Sequence, residues 1–205
     1  MCTSVIDRHA SETSCDTVPI FSDPANLEGL EDLFDMSLLG KIADWKRLEL
    51  ILSQISRNMT ILDLGCGNGW LVEALRRMGF NIIGIDPNLP PLECYPSYLL
   101  KRNAYETGFP DDSFDCIVLL ETIEHLEPRV YVEIRRIIRD RGKLIITTHK
   151  KRWNWLIETL SLMRLADSLG TPHINLVEPS QIPFQLQESG SFMYLEWYGI
   201  YKVIK

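Results

Sequence analysis

The sequence predicts a doubly wound α/β fold on a mostly parallel sheet, and three observations carry that prediction. Strand-length apolar runs alternate with helix-length amphipathic runs from residue 58 onward, which is the pattern of βαβ units. The stretch Ile61-Leu-Asp-Leu-Gly-Cys-Gly-Asn-Gly-Trp70 drives a short apolar strand into a glycine-dense turn and at once into a helical pattern of Leu71, Val72, Ala74, Leu75 and Met78. A helix that opens on such a turn aims its free N–H groups at a ligand. Asp115 to Leu120 is an apolar run suited to a strand buried on both faces.

The elements follow in order. Residues 1–25, rich in Ser, Thr, Asp and Pro, read as a flexible tail. Residues 26–57 read as an N-terminal helical cap: Leu30, Leu33 and Phe34, then Ile42, Trp45, Leu48, Ile51, Leu52 and Ile55, recur at helical spacing, with a break near Leu39-Gly40. Residues 58–205 form the main domain. Its first strand is Thr60 to Leu64, and its second is Asn81 to Ile85, closed by Asp86-Pro87. Tyr98 to Arg102 makes a short third strand ending at Asn103-Ala104, and the fourth strand is the run at Asp115 to Leu120. Pro128 to Arg139 is a helix with Val130, Ile134, Ile137 and Ile138 on one face, and Gly142 turns the chain into a fifth strand, Lys143 to Thr148. Trp153 to Leu169 is an amphipathic helix ended by Gly170, and Pro179 to Gln187 is a further helix. Phe192 to Trp197 and Ile200 to Ile204 close the chain as a hairpin.

A formal net charge of −7 argues against a general nucleic-acid binder, whose affinity rests on neutralising phosphates. The five cysteines are odd in number and scattered without a C-x-x-C pair, the pattern of a reduced, cytoplasmic protein rather than a disulfide framework or a zinc site. The opening residues are too polar for a secretory leader, and Glu158, Arg164 and Asp167 interrupt the longest apolar segment, so no membrane span is expected.

Two details of the glycine turn choose its ligand. Asp63 ends the strand two residues before Gly65, and Trp70 stands where a dinucleotide fingerprint wants its third glycine. A carboxylate there repels a pyrophosphate and suits an ammonium group. Asp63-Leu-Gly65-Cys-Gly67-Asn-Gly69 resembles the first motif of the class I S-adenosylmethionine-dependent methyltransferases, and the resemblance runs over roughly residues 58 to 148. It implies a Rossmann-like, seven-stranded sheet with an antiparallel edge hairpin, and S-adenosyl-L-methionine as cofactor. It places Asp63, Gly65, Cys66 and Gly67 against the methionine part of that cofactor.

Asp86, twenty-one positions after Gly65 and followed by Pro87, falls where a carboxylate binds ribose hydroxyls. The resemblance puts Asn103 and Ala104 at the adenine. After the fourth strand comes Glu121-Thr-Ile-Glu124-His125, at the strand ends that face the crevice. This E-x-x-E-H string is similar to one in ubiquinone-type O-methyltransferases, and to one in small-RNA 3′-end methyltransferases that helps hold a divalent metal. In a helical segment Glu121, Glu124 and His125 would share one face. Three roles stay open for them: a divalent-ion site, a general base at His125, or orientation of the loop over the cofactor, with Glu121 also lining the cofactor site. His173 and His149 are further candidates, and the basic residues Arg135, Arg136, Arg139, Arg141, Lys143, Lys150, Lys151 and Arg152 form either a solvated face or an RNA contact. The expected function is methyl transfer to a small-molecule acceptor, at oxygen. The alternatives are an RNA methyltransferase with a Glu/Glu/His metal site and a catalytically silent cofactor-binding protein.

Overall fold

A computed structural model describes residues 38–89, 96–150, 176–192 and 196–205. Helix α1 (Leu38–Gln54) leads into β1 (Thr60–Leu64), α2 (Trp70–Arg77) and β2 (Asn81–Ile85). Strands β3 (Leu99–Leu100) and β4 (Phe114–Leu120) follow, then a 3₁₀ turn (Ile123–His125), α3 (Val130–Ile137) and β5 (Ile138–His149). A second 3₁₀ turn (Pro179–Gln181), β6 (Gln185–Phe192) and β7 (Glu196–Lys202) complete the described elements.

The seven strands make one sheet in the order β3-β2-β1-β4-β5-β7-β6. Strands β1 to β5 pair in parallel, β7 runs antiparallel to β5, and β6 antiparallel to β7. Strand order reverses between β1 and β4, so the crevice at their carboxyl ends is the ligand position of a doubly wound sheet. Alternate residues serve opposite faces. Ile61, Cys116, Val118 and Ile145 pack with Leu48 and Ile51 of α1 and Val72 and Leu75 of α2. Leu62, Ile117, Leu119 and Leu144 pack with Ile134 and Ile137 of α3 and with Trp197 and Tyr201 of β7. Both faces of the central strands are therefore covered, which is why β4 reads as a continuous apolar run.

Several expected boundaries move. Leu39 and Gly40 lie inside the first turn of α1, while the preceding cap segment and the tail fall outside the described residues. The third strand shrinks to Leu99–Leu100. The fifth starts at Ile138 rather than Lys143, because Ile138 pairs with Phe114 before residues 139–142 bulge out and Lys143 pairs with Cys116. The expected helix at Pro179 to Gln187 is a single 3₁₀ turn followed by strand β6. Pro183 supplies no N–H and cannot continue the helix. The hairpin thus pairs 185–192 with 196–202, both arms beginning earlier in the chain than the sequence pattern suggested. The amphipathic segment Trp153 to Leu169 and His173 fall outside the described residues.

Candidate functional site

The glycine turn is held to the neighbouring strand by its own backbone. Gly65 and Cys66 both donate N–H bonds to the Ile85 carbonyl, at 2.8 and 3.0 Å. Gly65, Gly67 and Gly69 all have positive φ, the region that favours glycine. A Cβ on Gly67 would meet nothing within 4 Å, whereas one on Gly65 would lie 2.3 Å from Cγ2 of Thr122. The turn therefore leaves its open side at Gly67 and packs its other side on the segment after β4.

Asp63, Gly65, Cys66, Gly67, Asp86, Pro87, Asn103, Ala104 and Glu121 line one cavity of about 540 Å³. Asp63 is 2% exposed, and its Oδ1 is buried without a hydrogen-bond partner. Burial, and secondarily the nearby Asp86, pushes its carboxyl up to about 7. A ligand bringing a cation would reverse that cost. Asp86 accepts the Gly67 N–H on Oδ2 at 3.1 Å and the Asn88 N–H on Oδ1 at 2.7 Å. These bonds fix the carboxylate at the cavity edge and leave a lone pair on each oxygen. Asn103 Oδ1 accepts the Tyr105 N–H at 2.9 Å, so the amide is held in a turn beside Ala104. The Cys66 thiol is pushed well up by burial, which keeps it a neutral wall rather than a nucleophile.

The segment after β4 is not one helical face. Glu121 has φ +47 and precedes the 3₁₀ turn that contains Glu124 and His125. The three side chains consequently divide. His125 lines the cavity beside the glycine turn. Glu121, which also lines the cavity, and Glu124 approach His149, the last residue of β5, with a carboxylate oxygen of each and a ring nitrogen of His149 within 4.8 Å of one another. His149 Nδ1 is 2.8 Å from Glu121 Oε2. Glu124 is 1% exposed, and its Oε2 is buried without a hydrogen-bond partner.

Two more residues complete this cluster. Glu196 opens β7 directly opposite His149 in the β5–β7 ladder. Arg47 reaches in from α1, with Nη2 at 2.7 Å from Glu196 Oε1 and 3.5 Å from Glu121 Oε1, and Nη1 at 2.8 Å from Asp44 Oδ1. Burial opposes every charge here, and the partners decide the outcome. Burial and the neighbouring Glu121 raise both Glu124 and Glu196. For Glu121 the His149 and Arg47 charges outweigh burial and hold the carboxyl well below its ordinary range. The same pairing outweighs burial at His149 and raises it to about 9. Sequence reasoning gave His149 little weight and missed Arg47 and Glu196. The three strand ends meet only through the order β4-β5-β7, which no local motif announces.

The basic run is largely spent on internal ties. Arg135 donates to the Ile204 carbonyl, Arg136 pairs with Glu133 and Asp111, Arg139 pairs with Asp115, and Lys143 donates to Gln54. These contacts stitch α3 and β5 to their neighbours. Lys151 and Arg152 lie outside the described residues.

Comparison with known proteins agrees with this fold. A family model for a methyltransferase domain matches residues 39–191. The chain is 34% identical over 108 residues to the mitochondrial ubiquinone biosynthesis O-methyltransferase of Homo sapiens, covering 45% of this chain and 29% of that one. It is 27% identical over 154 residues to the ubiquinone biosynthesis O-methyltransferase of Colwellia psychrerythraea, covering 65% and 61%. The chain thus spans less than two thirds of the length of either relative. A crystal structure of a protein from Pyrococcus horikoshii superposes with a TM-score of 0.65 at 18% identity, over 83% of this chain and 94% of that one. The matched residues take in the glycine turn, Asp63, Asp86 and the acid-rich segment after β4. The chain belongs to the methyltransferase-domain family, in its class I, S-adenosyl-L-methionine-dependent branch.

Proposed function

We propose that this protein transfers a methyl group from S-adenosyl-L-methionine to a hydroxyl oxygen of a small-molecule acceptor. The observation that carries the reading is a single cavity lined by two chemically different groups of residues. Asp63, the glycine turn, Asp86 and Asn103 make one group; Glu121, Thr122 and His125 make the other. When bound, the cofactor supplies a methyl group already activated by its sulfonium. The residues then need only align, desolvate and move a proton. Such alignment contributes on the order of 7–11 kcal/mol to lowering a barrier.

Asp63 would meet the amino group, and its orphaned Oδ1 fits that cation. Gly67 leaves room for close approach. Asp86 would accept the ribose hydroxyls, with Asn103 and Ala104 at the base. His125 lines the same cavity, where an imidazole can take the proton from a hydroxyl as it is methylated. The similarity to proteins named ubiquinone biosynthesis O-methyltransferase supports oxygen as the atom methylated. The internal engagement of Arg135, Arg136, Arg139 and Lys143 takes support from an RNA acceptor.

The test supplies isotopically labelled S-adenosyl-L-methionine with a panel of phenols and catechols, and in parallel with short RNA. We expect label in an O-methyl product, and its loss in His125→Ala with S-adenosylhomocysteine binding retained. Label in RNA alone, or in no acceptor at all, would overturn the reading.

A second reading rests on Glu121, Glu124 and His149. Two carboxylates and an imidazole suit a divalent transition ion, and the orphaned Oε2 of Glu124 fits a ligand that is missing from the protein's own hydrogen bonds. These three residues would hold the ion, and its Lewis acidity would favour the deprotonated form of an acceptor oxygen. Methyl transfer that is indifferent to chelators would remove this second reading and leave the first.

A further inference from the structure

The buried cluster beside the cavity gathers carboxyl groups and cations from three parts of the chain. Asp44, Glu121, Glu124 and Glu196 bring four carboxylates, and Arg47 and His149 bring the two cationic groups that face them. One of those cations is delivered by a different element from the rest. Arg47 projects from α1, is anchored there by Asp44 three residues earlier, and puts a single nitrogen, Nη2, between Glu196 and Glu121. Its contact with Glu196 is short and its contact with Glu121 long, at 2.7 against 3.5 Å. The guanidinium is thus shared unequally, and Glu121 is the partner it holds more loosely. Glu121 is also the carboxylate common to the cavity wall and to the Glu121–Glu124–His149 group.

We propose that Arg47 is a resident cation that competes with an external divalent ion for the Glu121 carboxylate, so that α1 sets how strongly the Glu121–Glu124–His149 cluster takes up metal. The inference rests on the second reading above, and it concerns the residue that opposes the ion rather than those that hold it. Arg47 faces Oε1 of Glu121 and His149 faces Oε2, so a guanidinium drawn closer to that carboxylate weakens its hold on a divalent ion, because the two positive charges repel at short range. Asp44 and Glu196 form the berth in which the guanidinium waits. Removing the Glu196 half of the berth leaves Nη1 on Asp44 and makes Glu121 the carboxylate that Nη2 still faces. Removing Arg47 leaves the cluster with one cation fewer and a stronger appetite for the ion.

Titration of the full chain with Mn²⁺, followed by electron paramagnetic resonance and calorimetry, tests this without any methyl acceptor. Arg47→Gln should bind Mn²⁺ about tenfold or more tightly than the parent, while Arg47→Lys, which keeps the charge, should stay near it. Glu124→Gln should lose the ion. Glu196→Gln should weaken Mn²⁺ binding in the parent background and lose that effect when Arg47→Gln is present, because only then is there no guanidinium to transfer to Glu121. S-adenosylhomocysteine titration confirms that each variant is folded. Should Arg47→Gln not fold, Arg47→Met, which keeps much of the side chain's length without its charge, takes its place in both comparisons, with the same results expected. Equal Mn²⁺ affinity across the parent and the Arg47 variants, or equal weakening by Glu196→Gln whatever stands at 47, would overturn the competition and leave the metal reading intact. No Mn²⁺ binding by any variant would overturn both.

Discussion

Asp63 and Asp86 end or follow neighbouring parallel strands, yet their surroundings give them different work. Asp86 is already oriented by two backbone N–H groups, so its carboxylate is preorganised for a ligand. Charge-assisted hydrogen bonds contribute roughly 1.5–3 kcal/mol each. Asp86→Ala should therefore weaken S-adenosylhomocysteine binding by about ten- to a hundredfold, as calorimetry would show, with no comparable change in unfolding midpoint. Asp63 instead carries a carboxyl raised to about 7 by burial and by Asp86. An ammonium group favours its ionised form, so binding should be lost as pH falls through 7 and gained as pH rises toward it. Titrations of S-adenosylhomocysteine between about pH 5.5 and 7.5 should follow that slope in the parent and flatten in Asp63→Asn. Both acids were legible in the sequence because spacing from a glycine turn is a local property. Arg47 and Glu196 were not, and His149 stood only as a further candidate, because their meeting depends on a helix and two strand ends brought together from residues 47, 149 and 196. The E-x-x-E-H string suggested one helical face, and Glu121 at φ +47 breaks it. Backbone conformation of that kind leaves no trace in a residue pattern.

At the level of elements, the first β–turn–α unit was readable because pattern and punctuation agreed. The apolar strand, the positive-φ glycines and the apolar face of α2 each point to the same geometry. Gly65→Ala should disturb this unit at two points: φ +86 strains an alanine, and its Cβ would collide with Thr122. We expect a cost of roughly 1–3 kcal/mol, seen as a lower urea midpoint with unchanged slope. Helix α3 is fixed to the sheet by Val130, Ile134 and Ile137, all fully buried. Ile134→Ala should cost about 2–5 kcal/mol by leaving a cavity against β4 and β5, while leaving cofactor affinity nearly unchanged because none of that face lines the crevice. The misread element, Pro179 to Gln187, shows where punctuation was overruled. Glu178 and Gln181 form a genuine capping box, which signals a helix start, but Pro183 permits only one turn before the chain extends into β6.

The molecule as a whole is a sheet covered on both faces, with its crevice at the strand ends where the order reverses. A ligand seated there touches the ends of β1, β2 and β4 together, so binding should stabilise the whole folded state rather than one loop. At a hundredfold excess over Kd, linkage gives about 2.7 kcal/mol, which for a chain of this size raises Tm by roughly 5–10 °C. S-adenosylhomocysteine should produce that shift in a thermal scan, and NAD should produce none. The contact between Gly65 and Thr122 has a further consequence, in inheritance rather than energy. The position that shapes the glycine turn and the position that leads into the 3₁₀ turn after β4 are touching neighbours, with no space for an extra carbon between them. Among descendants of this gene, drift at residue 122 should stay within threonine's bulk for as long as residue 65 remains glycine. Diversification of the acceptor would then have to proceed through residues farther along the chain.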